Sequence, residues 1–401
     1  MTVTTITTYK EADEALRIND LRQSLYDEGA VLMSDVLVNL HGEDHRARRN
    51  LEQRVFRREV FRHYEAEIFP RTLAETIAPF AAAGKCDIVD FGFRVMLNLT
   101  ADFSGIDRPR KSAEETDTLL RMIRTFGKAA TLGQALGDKD AIKAEIRAAL
   151  AEFDRDFCEP SLRRRRDLVE RCRRGEIAED DLPNDVLTIL LRNEDKIELS
   201  RDAILREMGF FILAGAFSSI HTMTHTMHEI FTWCAAHPED RARIDRDPAF
   251  LQRCIWESTR LHPSSPTAKR RPTCPVHLPT GGDVGTADEV VVDLMAANRD
   301  PQVFGADAAT FNPNRENPRG ANLYGLSFGS GMHACIGRNL AAGVQLRANL
   351  PERDVQYGTV HLIVRGLLDH GARPDPNDPL VVDTSTIRRN WLRYPVLLGR
   401  G

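Results

Sequence analysis

The chain has 401 residues, 42% of them apolar and 28% charged, with a formal net charge of −5. That apolar share supports a large core and excludes global disorder, while the acidic balance excludes a general nucleic-acid binder, which needs a domain-wide basic excess. Seven scattered cysteines, never spaced C-x-x-C, exclude a disulfide framework and a structural zinc site and suit a reducing compartment.

The N-terminal stretch MTVTTITTYKEADEALR has no apolar h-region, so no signal peptide is expected. Apolar residues then recur at three- and four-residue spacing over Ala141–Phe157, Leu182–Arg192, Arg201–Ala236, Pro248–Leu261 and Gly337–Leu350, predicting helices. Ser200 reads as an N-cap, and His237-Pro238 should stop the long helix. Between the first two, Arg163–Arg166 with Arg171, Arg173 and Arg174 reads as a solvated face balanced by Glu176–Asp181, since no aromatic residues interleave the charge. The longest apolar run, Phe210–Phe217, is too short to span a bilayer, so a soluble, cytoplasmic protein with no membrane partner is expected. β-Branched runs at Glu289–Leu294 and His361–Val364, and the tail Trp391–Leu398, predict strands. The stretch Ala296–Tyr324 is rich in Asn, Pro, Gly and Asp and reads as a long loop. The expected architecture is mainly α with small β-sheets near one end, as a single domain over 1–401.

One short segment, FGSGMHACIG (328–337), carries the chemistry. Gly329, Gly331 and Gly337 permit tight turns and a close backbone approach to something large. A helix pattern begins just after Cys335, so its sulfur should sit near a helix N-terminus, where free N–H groups favour a thiolate. As a nucleophile it lacks an orienting base, because His333 sits only two residues away in a turn. As a zinc ligand it lacks companions at suitable spacing. A lone thiolate with glycine clearance fits a metal-bearing cofactor with one protein axial ligand, of which haem is the obvious case.

The segment resembles the cysteine-ligand loop of the cytochrome P450 superfamily, F-x-x-G-x-x-x-C-x-G, at Phe328, Gly331, Cys335 and Gly337. Other signatures of that family follow in order: Glu257 and Arg260 of ESTR match its E-x-x-R pair, ANRDPQVF (297–304) is typical of bacterial members, and FNPNR (311–315) resembles its F-x-P-x-R segment, whose Arg315 is expected to complete a buried ionic triad. The resemblance implies a helical, prism-shaped fold. Haem b (iron protoporphyrin IX) would be ligated by Cys335 and lie beneath a distal helix over 200–236. It implies that the haem propionates are held by His45 and Arg49 of HRARR, by Arg270 of KRRPT (Arg271 being one residue off), and by His333. His45 comes early in the chain, so the first helix and initial strands of that fold, within 1–40, are expected to be shortened or absent, leaving an open or partner-covered pocket.

The distal helix departs from the family pattern [A/G]-G-x-[D/E]-T. Ala214 and Gly215 are kept, leaving room for dioxygen, but the acid is Phe217 and the alcohol is Ser218. In the family those two groups help deliver protons, and Phe217 cannot. His221, one turn on, titrates near neutrality as a free residue and is a relay candidate. Its spacing with His225 and His228 suggests either a metal site or, more simply, satisfied polar residues on a buried helix.

The implied reaction is insertion of one oxygen atom from O2 into a small organic substrate. No reductase-like segment follows, so electrons are expected from a ferredoxin served by an NAD(P)H ferredoxin reductase. Arg46–Arg58 with Arg338 and Arg347 would offer such a partner a positive face. The alternatives are a peroxide-driven enzyme and a non-catalytic haem-thiolate protein. Substrate contacts are expected around 28–40, 115–135 and 383–388. Leu119, Leu120, Met122, Ile123, Phe126 and Phe217 hint at an apolar ligand, and Phe217 over the haem at a compact or aromatic one.

Overall fold

The computed structural model describes residues 2–344 and 355–399. Helices dominate, as expected. The longest, Arg201–Ala236, starts where Ser200 accepts a hydrogen bond from the Ala203 N–H, and stops before Pro238. It runs through the centre of the molecule and crosses the helix Ile88–Ser104 closely: a Cβ on Gly215 would meet Thr100 Cγ2 at 2.9 Å. By length and composition it is apolar enough to cross a membrane, but 61% of its most apolar stretch is buried inside the fold.

A four-stranded sheet lies beside this helical body. Its order is Val3–Ile6, Glu289–Asp293, Thr267–Pro272, Leu21–Gln23; the first pair is parallel and the others antiparallel. Alternation along Thr267–Pro272 turns Ala268 and Arg270 to the buried face, which aims the guanidinium of Arg270 inward. The N-terminal region, expected to carry shortened or absent elements, holds two short strands and a helix. Val3–Ile6 and Leu21–Gln23 are the two outer strands of this sheet, and the helix Tyr9–Arg17 between them packs on the cysteine loop.

The expected helices are found over Lys139–Phe153, Val186–Arg192 and Pro248–Leu261, and the expected strand over Glu289–Asp293. The tail splits into the strands Trp391–Arg393 and Pro395–Leu397. The helix expected from Gly337 is short, Arg338–Ala342; its continuation over 345–350 lies outside the described residues. His361–Val364 is not a strand. It belongs to the helix Thr359–Asp369, because Val360, Ile363, Val364, Leu367 and Leu368 bury one helical face; the β-branched run concealed a 3.6-residue period.

The loop Ala296–Tyr324 is held by the pair found at 257 and 260. Arg260 donates to both Glu257 oxygens (2.9 and 2.7 Å) and to the carbonyls of Asn298 and Ala308. Arg315 Nε donates to Glu257 at 3.1 Å, completing the triad, and all three residues are buried. Asn298 carries the order onward, since its side chain bonds the Leu326 N–H and the Ser327 hydroxyl at the entry to the cysteine loop. The arginine run is paired along a helix face, with one exception. Arg163, Arg164 and Arg166 meet Glu159, Asp107 and Glu194, whereas Arg165 is buried against Asp107 and Asp185.

Candidate active site

A cavity of about 1030 Å³ opens between the long helix and the cysteine loop. Ala214, Gly215, Phe217, Ser218 and His221 line it from one side. His45, Arg49, Arg270, Phe328, His333, Cys335 and Gly337 line it from the other. Residues as far apart in sequence as His45 and Gly337 thus converge on one cavity.

The cysteine loop is shaped by two glycines at positive φ, Gly329 (67°) and Gly331 (66°), and is closed by a 2.8 Å bond from the Cys335 N–H to the Phe328 carbonyl. Gly331 is also a close approach: a Cβ there would meet the Leu16 carbonyl oxygen at 2.6 Å. Cys335 is deep in the fold, yet its own surface is open, because it faces the cavity. Burial pushes its thiol pKa up, opposed by the Gly337 N–H, by Arg49 and Arg338, and by the Arg338 N–H. A Cβ on Gly337 would meet nothing within 4 Å, so the space above the loop is clear.

Four nitrogen-bearing side chains gather beside that space. The His45 and His333 rings lie 4.6 Å apart. Neither ring nitrogen of His333 has a hydrogen-bond partner, and burial, with the positive field of Arg270 and His45, pushes its pKa down to about 3. Burial and Arg49 likewise lower His45 to about 4, and burial lowers Arg270 to about 10. Arg49 donates to the Ala334 carbonyl at 2.7 Å and Arg270 to Gln23 and the Lys269 carbonyl; among the described residues neither has a carboxylate partner. A buried unpaired polar atom costs about 1–3 kcal/mol, so an anion placed among these donors would stabilise the cluster. An exposed sulfur, cleared space and an anion-seeking rim fit a haem with two propionates.

The helix that carries His45 and Arg49 is anchored from behind. Arg48 reaches away from the cavity to Glu52 (3.0 Å) and to Glu207 of the long helix, and Glu207 also accepts from the Leu37 N–H at 3.0 Å. Arg48 therefore leaves the expected positive face, on which Arg46, Arg54, Arg57 and Arg58 are exposed. Arg347 lies outside the described residues.

A sequence profile described as "Cytochrome P450" matches residues 37–347. The chain belongs to the cytochrome P450 family. Among curated relatives, pulcherriminic acid synthase of Bacillus subtilis (strain 168) is 24% identical over 355 residues, covering 84% of this chain and 80% of that one. Alkane hydroxylase MAH1 of Arabidopsis thaliana is 25% identical over 220 residues, half of this chain and 43% of the relative. Among solved structures, CalO2 superposes with a TM-score of 0.75 at 21% identity, covering 98% of this chain and 90% of that one. Members of this P450 family are haem-thiolate oxidoreductases, and the fitted Cys335 rim accords with that chemistry.

The distal wall of this P450 differs from its sequence reading in three respects. First, Phe217 turns sideways: a Cβ on Gly127 would meet its ring at 2.2 Å, and Phe93 meets it edge-on with centroids 5.0 Å apart. Second, the Ser218 hydroxyl donates back to the Ala214 carbonyl at 2.9 Å. Third, His221 does not titrate near neutrality. Burial, then the neighbouring His262 and Arg388, lowers it to about 3, against the opposing influence of the Asn390 side chain and the His262 backbone.

His225 and His228 are satisfied, by the Arg389 carbonyl and the Tyr394 hydroxyl, whereas both His221 nitrogens are unpartnered. Among the described residues no His, Cys, Asp or Glu group could hold a metal ion, so the three do not form a metal site.

The apolar hint from the helix Ala113–Thr131 is also corrected. Leu119, Leu120, Met122, Ile123 and Phe126 are buried in the core, not in the cavity wall. The opposite face, at three- and four-residue spacing, gives the cavity Arg124, Gly127, Lys128 and Thr131. Arg388, at the end of the expected contact segment 383–388, lines the cavity from the tail, together with Asn390 and Trp391, which sequence reasoning passed over. The segment 383–388 was a contact candidate, but nothing in the local pattern marks Arg388 as inward.

Proposed function

We propose that this P450 hydroxylates a small organic molecule held beside Phe217 and Ser218, drawing electrons from a ferredoxin served by an NAD(P)H reductase in the cytoplasm. The observation that carries the reading is one continuous cavity, lined both by the Cys335 loop and by the long helix. When bound, haem supplies dioxygen activation, with the Cys335 thiolate donating electron density to its iron. Arg49, Arg270, His45 and His333 would hold its propionates. Phe217, packed into the notch at Gly127, would wall the substrate space and keep water from it. The exposed arginines Arg46, Arg54, Arg57 and Arg58 support docking of an acidic electron donor.

A second reading, peroxide-driven oxygenation, draws on the distal wall. Phe217 has no proton to relay, the Ser218 hydroxyl is committed to Ala214, and His221 is held neutral. Peroxide brings its own protons. A spectral titration of the ferric protein with terpenes, steroids, fatty acids and aromatic compounds tests for the substrate pocket. A saturable low-to-high-spin Soret shift is expected, and no shift from any class would count against hydroxylation of a free small molecule. Turnover of a shifting compound with ferredoxin and reductase, set against turnover with peroxide alone, decides between the two readings.

A further inference from the structure

Three guanidiniums on the cavity wall have no carboxylate partner among the described residues: Arg49, Arg270 and Arg388. The first two belong with His45 and His333, and their common positive field depresses His333. Arg388 is not part of that group. Its charge is felt instead by His221, one turn beyond Phe217 on the long helix. Two neutral oxygens orient it: the guanidinium donates from Nε to the Gln134 side chain and from Nη1 to the Ser264 carbonyl at 2.9 Å. Those bonds leave Nη2 without a protein partner on a half-buried side chain that lines the cavity.

The atoms around it are unsatisfied too. His221 lies against the Asn390 side chain and the His262 backbone without a well-formed hydrogen bond to either, the Trp391 indole N–H is buried without a partner, and His221, Asn390 and Trp391 line the same cavity as Arg388. A half-buried cation held by neutral acceptors, with His221 in its field and the Trp391 N–H on the same cavity wall, offers a set of donors suited to an anion. The flanking wall carries Phe93, Phe210 and Phe217, and the cations there, Arg124 and Lys128, are already paired with Asp90 and Glu145.

We propose that Arg388, with His221 and Trp391, forms a carboxylate subsite, so that the substrate is an organic acid with an apolar body. A planar guanidinium edge takes a carboxylate in a fixed orientation, which would present the far end of the molecule towards Ala214 and Ser218. This rests on the proposed function and names its substrate class.

The test uses the ferric holoenzyme and matched probes: decanoic acid and 4-phenylbutyric acid, each against its methyl ester. Binding is followed by the Soret shift and, independently of the iron, by calorimetry. The acids should bind about 10- to 100-fold more tightly than the esters, the range for a hydrogen bond to a buried charge. Arg388→Gln should weaken the acids by that factor and leave the esters unchanged, while Arg388→Lys should keep part of the preference. Asn390→Asp, which places a competing carboxylate beside the guanidinium, should also weaken only the acids, and it serves if the arginine variants do not fold. Esters binding as tightly as acids, or a preference that survives Arg388→Gln, would overturn the inference. So would an Arg388→Gln protein that loses haem instead of acid preference, since Arg388 would then hold a propionate. If the native protein lacks a thiolate-type reduced CO spectrum, the haem-thiolate reading itself falls, and the subsite with it.

Discussion

Arg270 and Arg388 make an instructive pair. Both line the cavity, Arg270 buried and Arg388 half-buried, both are oriented by neutral oxygens, and desolvation lowers the pKa of both. Arg270 sits among His45, Arg49 and His333, a rim with enough donors for a group carrying two negative charges. Arg388 sits with one neutral histidine, an amide and an indole, enough for one. The difference teaches that an unpaired buried charge must be read with its neighbours before a ligand is assigned to it.

The largest expected effect lies below that rim. Cys335→Ser should abolish the thiolate-type CO spectrum and essentially all turnover, because no other described cysteine reaches the cavity. Next is the triad that holds the loop in place. Glu257→Gln leaves Arg260 and Arg315 buried with a weakened partner and should cost about 3–5 kcal/mol in chemical denaturation, without a change in the groups lining the cavity.

The rim and the distal arginine then separate in haem binding. Arg270→Gln should loosen haem about 10-fold or more, measured by transfer to apomyoglobin, while Arg388→Gln leaves haem retention unchanged. Equal losses would erase the distinction between the two walls.

Acid should act on the histidines of both walls and on His361, buried against Gln252 outside the cavity. His45, His221, His333 and His361 are held to about 4, 3, 3 and 3, each chiefly by burial. All lie below the unfolded value near 6.5, so between these limits the unfolded chain binds more protons and stability must fall as pH drops. For the haem-free protein the slope should approach about 1.4 kcal/mol per pH unit per histidine below pH 6. Haem should flatten the share due to His45 and His333, because propionates favour their charged forms, and leave that of His221. Denaturation midpoints of both forms between pH 4 and 7 measure this.

The smallest effect is expected at Gly127→Ala, where the new methyl must displace the Phe217 ring at a cost of about 1–3 kcal/mol. Its signature is a changed Soret response to bulky ligands with haem content intact.

The proximal half of this site was legible in the sequence because it is local. Phe328 to Gly337 is one turn built by its own glycines, Glu257 and Arg260 lie on one helix face, and His45 and Arg49 share another. Short-range geometry determines such groups, so motif and spacing were sufficient to name Cys335 and its rim. The same locality made Arg201–Ala236 readable to the residue.

Where side chains of several segments meet, the sequence was silent or misleading. The helix Ala113–Thr131 has two faces, and only its packing decided that Leu119 to Phe126 enter the core and Arg124 to Thr131 the cavity. Val360 and Ile363 looked like strand residues until Thr359–Asp369 buried them on one helical face. Phe217 reads as a plug above the haem, but Gly127, ninety residues earlier, gives its ring a notch to one side. The chain alone determined which residues line the Cys335 side of the cavity. Only the tertiary structure decided that Arg388, a residue with no local pattern, points inward to His221, because that direction is set by contacts with Gln134 and Ser264 more than a hundred positions away.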